Sequence, residues 1–119
     1  MSALSYPVTQ GVDASAQLRY LRQVFGLSNI ELGKLFGVER QAVAQWEKRG
    51  VPPSRSASVD RLVEFAQFLQ RRLISARIPQ IVRTPAKGLA NNTMLGVLQS
   101  HGVEPLYEYF ASLSAYAPL

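Results

Sequence analysis

Apolar positions recur at helical spacing along most of the chain. Leu18, Leu21 and Phe25 fall at i, i+3 and i+7, with Val24 beside them. Asp13 or Ser15 can cap this helix, and Gly26 ends it as a residue just past a helix commonly does. The dozen residues before it show no such pattern and are predicted to be a loose arm. Ser28 and Glu31 then stand at the spacing of a capping box. The short helix they open carries Leu32, Leu35 and Phe36, and Gly37 stops it. Val38 leads into a third helix over residues 39–48, with Val43 and Trp46 on one face. Gly50-Val51-Pro52-Pro53 breaks the chain again.

Ser56 or Ser58 is the expected start of a long helix that runs to about residue 76. Its stripe is Val59, Leu62, Val63, Ala66, Leu69 and Leu73, widened by Phe65 and Phe68. Residues 78–85 contain two prolines and are predicted to be an extended connector. Short helices are expected near 92–100 and 105–116. Pro105 suits the first position of the last one, and Leu106, Phe110 and Leu113 give it a face. No stretch alternates as a strand does. The prediction is an all-α chain in three parts: an arm over 1–13, a helical domain over 14–77 and a helical extension over 78–119.

Charge sharpens that division. The net charge is +5 over 119 residues. Residues 1–87 hold all 13 Lys and Arg and six of the eight acids, a charge of +7, whereas residues 88–119 hold only Glu104 and Glu108. Such asymmetry suggests a polyanionic partner for the first part alone, with a solvated basic surface as the plainer alternative. The chain has no Cys, which fits a reducing compartment and removes thiol chemistry, disulfides and Cys-based zinc sites. Neither a long apolar run nor a charged-then-apolar leader is present, so a cytoplasmic protein without a membrane role is expected. His101 is the lone His, beside Gly102 in a turn, and Glu104 and Glu108 read as solvated. With no nucleophile motif or phosphate-cradling glycine loop, no enzyme activity, metal or cofactor is expected.

Two short helices joined by a Gly-containing turn and closed by Pro-Pro have the spacing of a helix-turn-helix. The stretch SNIELGKLFGVERQAVAQWEKRGVPP resembles the Cro/repressor-type (Xre-like) helix-turn-helix family, over roughly residues 14–73. Gly37 sits at the turn, and Val43 and Trp46 occupy the positions that seat the recognition helix, residues 38–48. The family's usual small residue four before the turn glycine is Ala, and here it is Gly33. The substitution keeps a close helix approach at a cost of about 1 kcal/mol of helix propensity. The resemblance implies a five-helix Cro/repressor-like domain, and a buried ion pair between Arg22 and Glu47. It also implies binding to double-stranded DNA.

In such a motif the start of the recognition helix enters the major groove. With Val43 and Trp46 turned inward, Glu39, Arg40, Gln41, Ala44 and Gln45 remain outside. Arg grips guanine O6 and N7, and Gln grips adenine N6 and N7, so Arg40, Gln41 and Gln45 are the expected base readers. Ala44 can touch a thymine methyl, and Glu39 can accept from cytosine or repel the backbone. Phosphate contacts are expected from Asn29 at a helix start and from Lys34, Lys48, Arg49, Ser54 and Arg55. The expected function is that of a transcriptional repressor, binding an inverted repeat as a homodimer.

The last third, RIPQIVRTPAKGLANNTMLGVLQSHGVEPLYEYFASLSAY, resembles the toxin-binding module of Xre/MbcA/ParS-type antitoxins. That resemblance implies the alternative function: an antitoxin whose tail grips a toxin, often an enzyme that attacks NAD, and whose helix-turn-helix autoregulates. A dimerising or helix-covering extension is the other reading of the tail. Leu106, Tyr109, Phe110, Leu113 and Tyr116 form two adjoining faces, which suggests an interface with a second copy or a partner. A chain ending near residue 77 is then expected to fold as a monomer.

Overall fold

The structure, a computed structural model, describes residues 14–116, and side chains as far as Leu113. The predicted arm, and Asp13 as a cap, lie outside the described residues. Within them the chain is all-α. The helices are α1 (Ala14–Phe25), α2 (Asn29–Phe36), α3 (Arg40–Arg49), α4 (Pro53–Arg72), α5 (Ile78–Ile81), α6 (Met94–His101) and α7 (Glu104–Tyr116). Single 3₁₀ turns occupy Ser75–Arg77 and Lys87–Leu89.

Local chemistry explains most of the boundaries. Glu31 N donates to Ser28 Oγ at 3.1 Å and Ser28 N donates to Glu31 Oε1 at 3.0 Å, so the capping box is complete. Gly37 closes α2 in the left-handed region, at φ +69°, and its N–H bonds the carbonyls of Gly33 and Lys34. Glu39 is the N-cap residue of α3, extended and without a side-chain cap bond. Thr93 Oγ1 accepts from Gly96 N at 3.0 Å and starts α6.

Two boundaries differ from the expectation. α4 begins at Pro53 and not at Ser56 or Ser58, and it ends at Arg72. A second proline after an extended Pro52 is a good first helical residue, because its missing N–H has no partner to lose there. The predicted extended connector over 78–85 is also corrected. It contains α5 and a following turn, with Pro79 in the first turn of the helix. Ile78 and Val82 are fully buried, four residues apart, so burial of one helical face outweighs the proline signal.

The core is continuous. α1 lies against α3 and α4, α2 lies between α3 and α6, and α7 covers α4. One cluster of buried side chains runs from Leu18 and Phe25 through Leu32, Val43 and Phe65 to Leu98, Leu106 and Phe110. The Leu106 and Phe110 assignments to an intermolecular face are therefore corrected. Both pack into the chain's own core, because the aromatic edge of α4 is as much in need of cover as α7 itself.

Candidate functional site

α2 and α3 meet at a distance set by Gly33. Val38 N donates to Gly33 O at 2.9 Å, and a Cβ on Gly33 would stand 2.5 Å from Val38 O. The glycine, inside α2, is thus required by the close approach of the Val38 carbonyl just past the turn at Gly37. Gly33→Ala is expected to lower the urea midpoint, by about 1–3 kcal/mol of stability, despite the better helix propensity of Ala. A raised midpoint would show that the turn yields to the methyl group.

The inward side of α3 is apolar. Val43 is fully buried, and Trp46 packs its ring edge-on to Phe36 at 5.7 Å. That leaves Arg40, Gln41, Ala44 and Gln45, at i, i+1, i+4 and i+5, on one exposed face, with Glu39 exposed at its head. Lys48 and Arg49 are exposed in its last turn, and Ser54 is exposed at the start of α4. Lys34 is exposed on α2 and shares a shallow depression with Arg40 and Gln41. Ile30 lines the same depression at 50% exposure, a position that periodicity does not single out. Together these residues make a surface with more cations than anions at the mouth of the helix-turn-helix.

Two of the expected phosphate contacts have internal work. Arg55 is half-buried, and its Nη1 donates to the carbonyl of Phe36 at 2.6 Å, tying α4 to the end of α2. Asn29 is half-buried, and its Oδ1 accepts from Arg22 Nη1 at 3.2 Å. Arg22 and Glu47 form a two-bonded ion pair, with Nη2 to Oε2 at 3.3 Å. Each side chain is about a quarter exposed, so the pair joins α1 to α3 at the rim of the core and not deep within it.

Arg83 is a joint that sequence reasoning missed. Its guanidinium donates to the carbonyls of Phe25 and Gly26, each at 2.7 Å, and to Pro79 O at 2.8 Å. It also pairs with Glu31 at 3.2 Å. A residue beyond the helix-turn-helix thereby holds the end of α1 and the capping box of α2. The Ser28 backbone N–H, and then Arg83, hold the Glu31 carboxyl below its ordinary pKa, against the opposing pull of desolvation. A depressed carboxyl stabilises the fold above its ordinary value, and the gain is lost as pH falls through the folded value. Glu31→Gln keeps the cap bond and removes the charge. Its cost is expected to be under about 1 kcal/mol near neutrality, because the site is well exposed, and to vanish in acid. Paired melting curves across pH test this, and an equal cost at both ends would exclude the charge as the cause.

The carboxy-terminal helices build a second surface. Tyr107 meets Phe65 and Phe68 edge-on at 5.4 and 4.9 Å, and burial pushes its hydroxyl pKa up. Tyr109 is half-buried against Gly88, where a Cβ would stand 2.5 Å from its ring. Leu113 is 49% exposed. The side chain of Tyr116 lies outside the described residues. Among the described residues no group of His, Cys, Asp and Glu side chains has the makings of a metal site. No helix among them is long and apolar enough to cross a membrane.

Neither a family model nor a curated protein matches the chain. Among solved structures, the fold is similar to a chain in the crystal structure of the M. tuberculosis MbcT–MbcA toxin–antitoxin complex. The TM-score is 0.67 at 17% identity, over 87% of this chain and 96% of that one. At that identity the likeness is one of fold. Its span is too great to be confined to α1–α4, so helices of the last third take part in it.

Proposed function

We propose that this chain is the antitoxin of a toxin–antitoxin pair: its carboxy-terminal helices bind and neutralise a toxin, and its helix-turn-helix binds DNA to regulate the pair's own synthesis. The observation that carries the reading is the extent of the fold likeness, which joins a helix-turn-helix and a covering set of helices in one chain similar to a member of a toxin–antitoxin complex. The antitoxin and not the toxin half is assigned because the exposed face of α3 has the chemistry of a DNA reader.

In that role Arg40 would grip guanine bidentately, and Gln41 and Gln45 would pair with adenine, with Ala44 against a thymine methyl. Lys34, Lys48, Arg49 and Ser54 flank the helix and would hold phosphates, fixing register without reading sequence. A homodimer on an inverted repeat would set two such helices about 34 Å apart. Arg40→Ala is expected to cost about 1–3 kcal/mol on the preferred site and to relax preference at one position. Titrations on selected and random DNA check this. Equal losses on both would make Arg40 a phosphate contact only.

The toxin-binding half is tested by co-expression with the product of the neighbouring gene, followed by purification through a tag on one protein. A stoichiometric complex that survives gel filtration is the expected result. A neighbour that folds, and elutes apart from this chain, would contradict the proposal.

A further inference from the structure

α7 runs beside α4 in the same direction. Glu104 pairs with Arg61 at 3.2 Å, and further along Phe110 meets Phe68 edge-on at 5.3 Å. One turn later α4 has ended at Arg72, so Leu113 continues the buried stripe of α7 past its cover. At the same end the chain turns away through Ile74, which is 66% exposed. Arg77 follows in the 3₁₀ turn, its N–H bonded to Ile74 O at 2.9 Å. Arg77, Ile81, Met94 and Tyr109 line a depression of about 330 Å³, and Leu113 lies one turn along α7 from Tyr109. Two of the three large apolar side chains left exposed among the described residues, Ile74 and Leu113, thus stand within one turn along the chain of residues that line the depression, Arg77 and Tyr109.

The rim of this end is cationic. Arg71 and Arg72 occupy the last turn of α4, with the Arg72 guanidinium 4.6 Å from the Phe68 ring centroid, and Arg77 stands at the depression. No acidic residue occurs in the sequence between Glu64 and Glu104. This charge selects among occupants. A second copy docked on the same patch would bring two cationic surfaces into one interface, which costs affinity. A phosphate backbone would leave Ile74 and Leu113 without use, and α4 separates them from its own start beside α3 by about 30 Å. An apolar centre with Arg77 at its wall and Arg71 and Arg72 at the end of α4, against Glu108 alone on α7 beside Tyr109, suits a protein surface with an apolar anchor and carboxylates around it.

We propose that the depression between Arg77 and Tyr109, with Ile74 and Leu113 at its edges, is the docking site for an acidic-rimmed partner protein that inserts an apolar side chain. The inference rests on the antitoxin reading and assigns the surface by which the toxin is held. The probe is the neighbouring gene's product, titrated against the whole chain and its Ile74→Asp and Arg77→Glu variants. Both positions are exposed, and melting curves verify that the variants fold. Each substitution is expected to weaken binding by at least about tenfold, and the Arg77→Glu loss is expected to shrink in high salt. Arg40→Ala should leave it unchanged. If the wild type binds and both variants bind equally well, the docking site lies elsewhere and the antitoxin reading stands. If the wild type fails to bind, that reading falls too. Dissociation of a homodimer by Ile74→Asp would assign the face to a second copy. Loss of DNA affinity alone in Arg77→Glu would assign it to nucleic acid.

Discussion

A chain ended after Arg77 is expected to lose its cooperative unfolding transition. Eight buried apolar residues lie beyond that point: Ile78, Val82, Met94, Val97, Leu98, Val103, Leu106 and Phe110. At roughly 1.5–3 kcal/mol for each buried side chain, their gross contribution of about 12–24 kcal/mol matches or exceeds a typical net stability of about 5–15 kcal/mol. Part of that is returned, because the deleted residues no longer need ordering. The retained helices, however, keep newly bared faces. Phe65 and Phe68 on α4 lose Tyr107 and Phe110, Phe25 and Gly26 lose the Arg83 joint, and α2 loses α6. Thermal unfolding followed by circular dichroism checks the outcome. A sharp transition near that of the whole chain would mean that residues 14–77 form an independent domain, the expectation that charge and periodicity alone suggest.

Trp46→Ala is expected to cost about 3–5 kcal/mol, the range for removing a large aromatic from a packed core. Trp46 and Val43 are the buried side chains of α3, and the indole is only 6% exposed, seated against Phe36. Without it α3 loses the seat that orients Arg40, Gln41 and Gln45. On the proposed DNA-reading role of α3, DNA affinity should therefore fall further than in Arg40→Ala, even in the fraction that remains folded. Trp46→Phe should recover much of both. Urea unfolding and DNA titration of the three proteins measure this, and unchanged stability in Trp46→Ala would show that α3 is held by other contacts.

The helix-turn-helix is legible in the chain because its signals are local. Ser28 and Glu31 are three residues apart, Gly37 follows within the same turn of sequence, and Val43 and Trp46 repeat at helical spacing. The Arg22–Glu47 pair, which joins α1 to α3 across 25 residues, is present as the resemblance implied and not through any local signal. What escaped is non-local. Arg55 caps α2 across 19 residues and Arg83 clasps α1 across 58, and nothing in a helical pattern announces either. Pro79 and Pro85 point to an extended chain only while the burial of Ile78 and Val82 is unknown. Leu106 and Phe110 read as a spare face because the breadth of the aromatic edge on α4, from Phe65 to Phe68, is visible only once α7 lies against it. The residue-level picture of the second surface, Ile74 and Arg77 beside Tyr109, depends on where α4 stops, and α4 stops at Arg72, four residues short of the end expected near residue 76.

Growth of a host that expresses the neighbouring gene's product, with and without this chain, tests the antitoxin assignment most directly. The neighbour alone should arrest growth, the whole chain should restore it, and the chain with Ile74→Asp and Arg77→Glu together should fail to restore it while still folding. A neighbour that is harmless alone, or one whose toxicity this chain leaves untouched, would contradict the assignment and return the helix-turn-helix to the role of a repressor acting without a toxin.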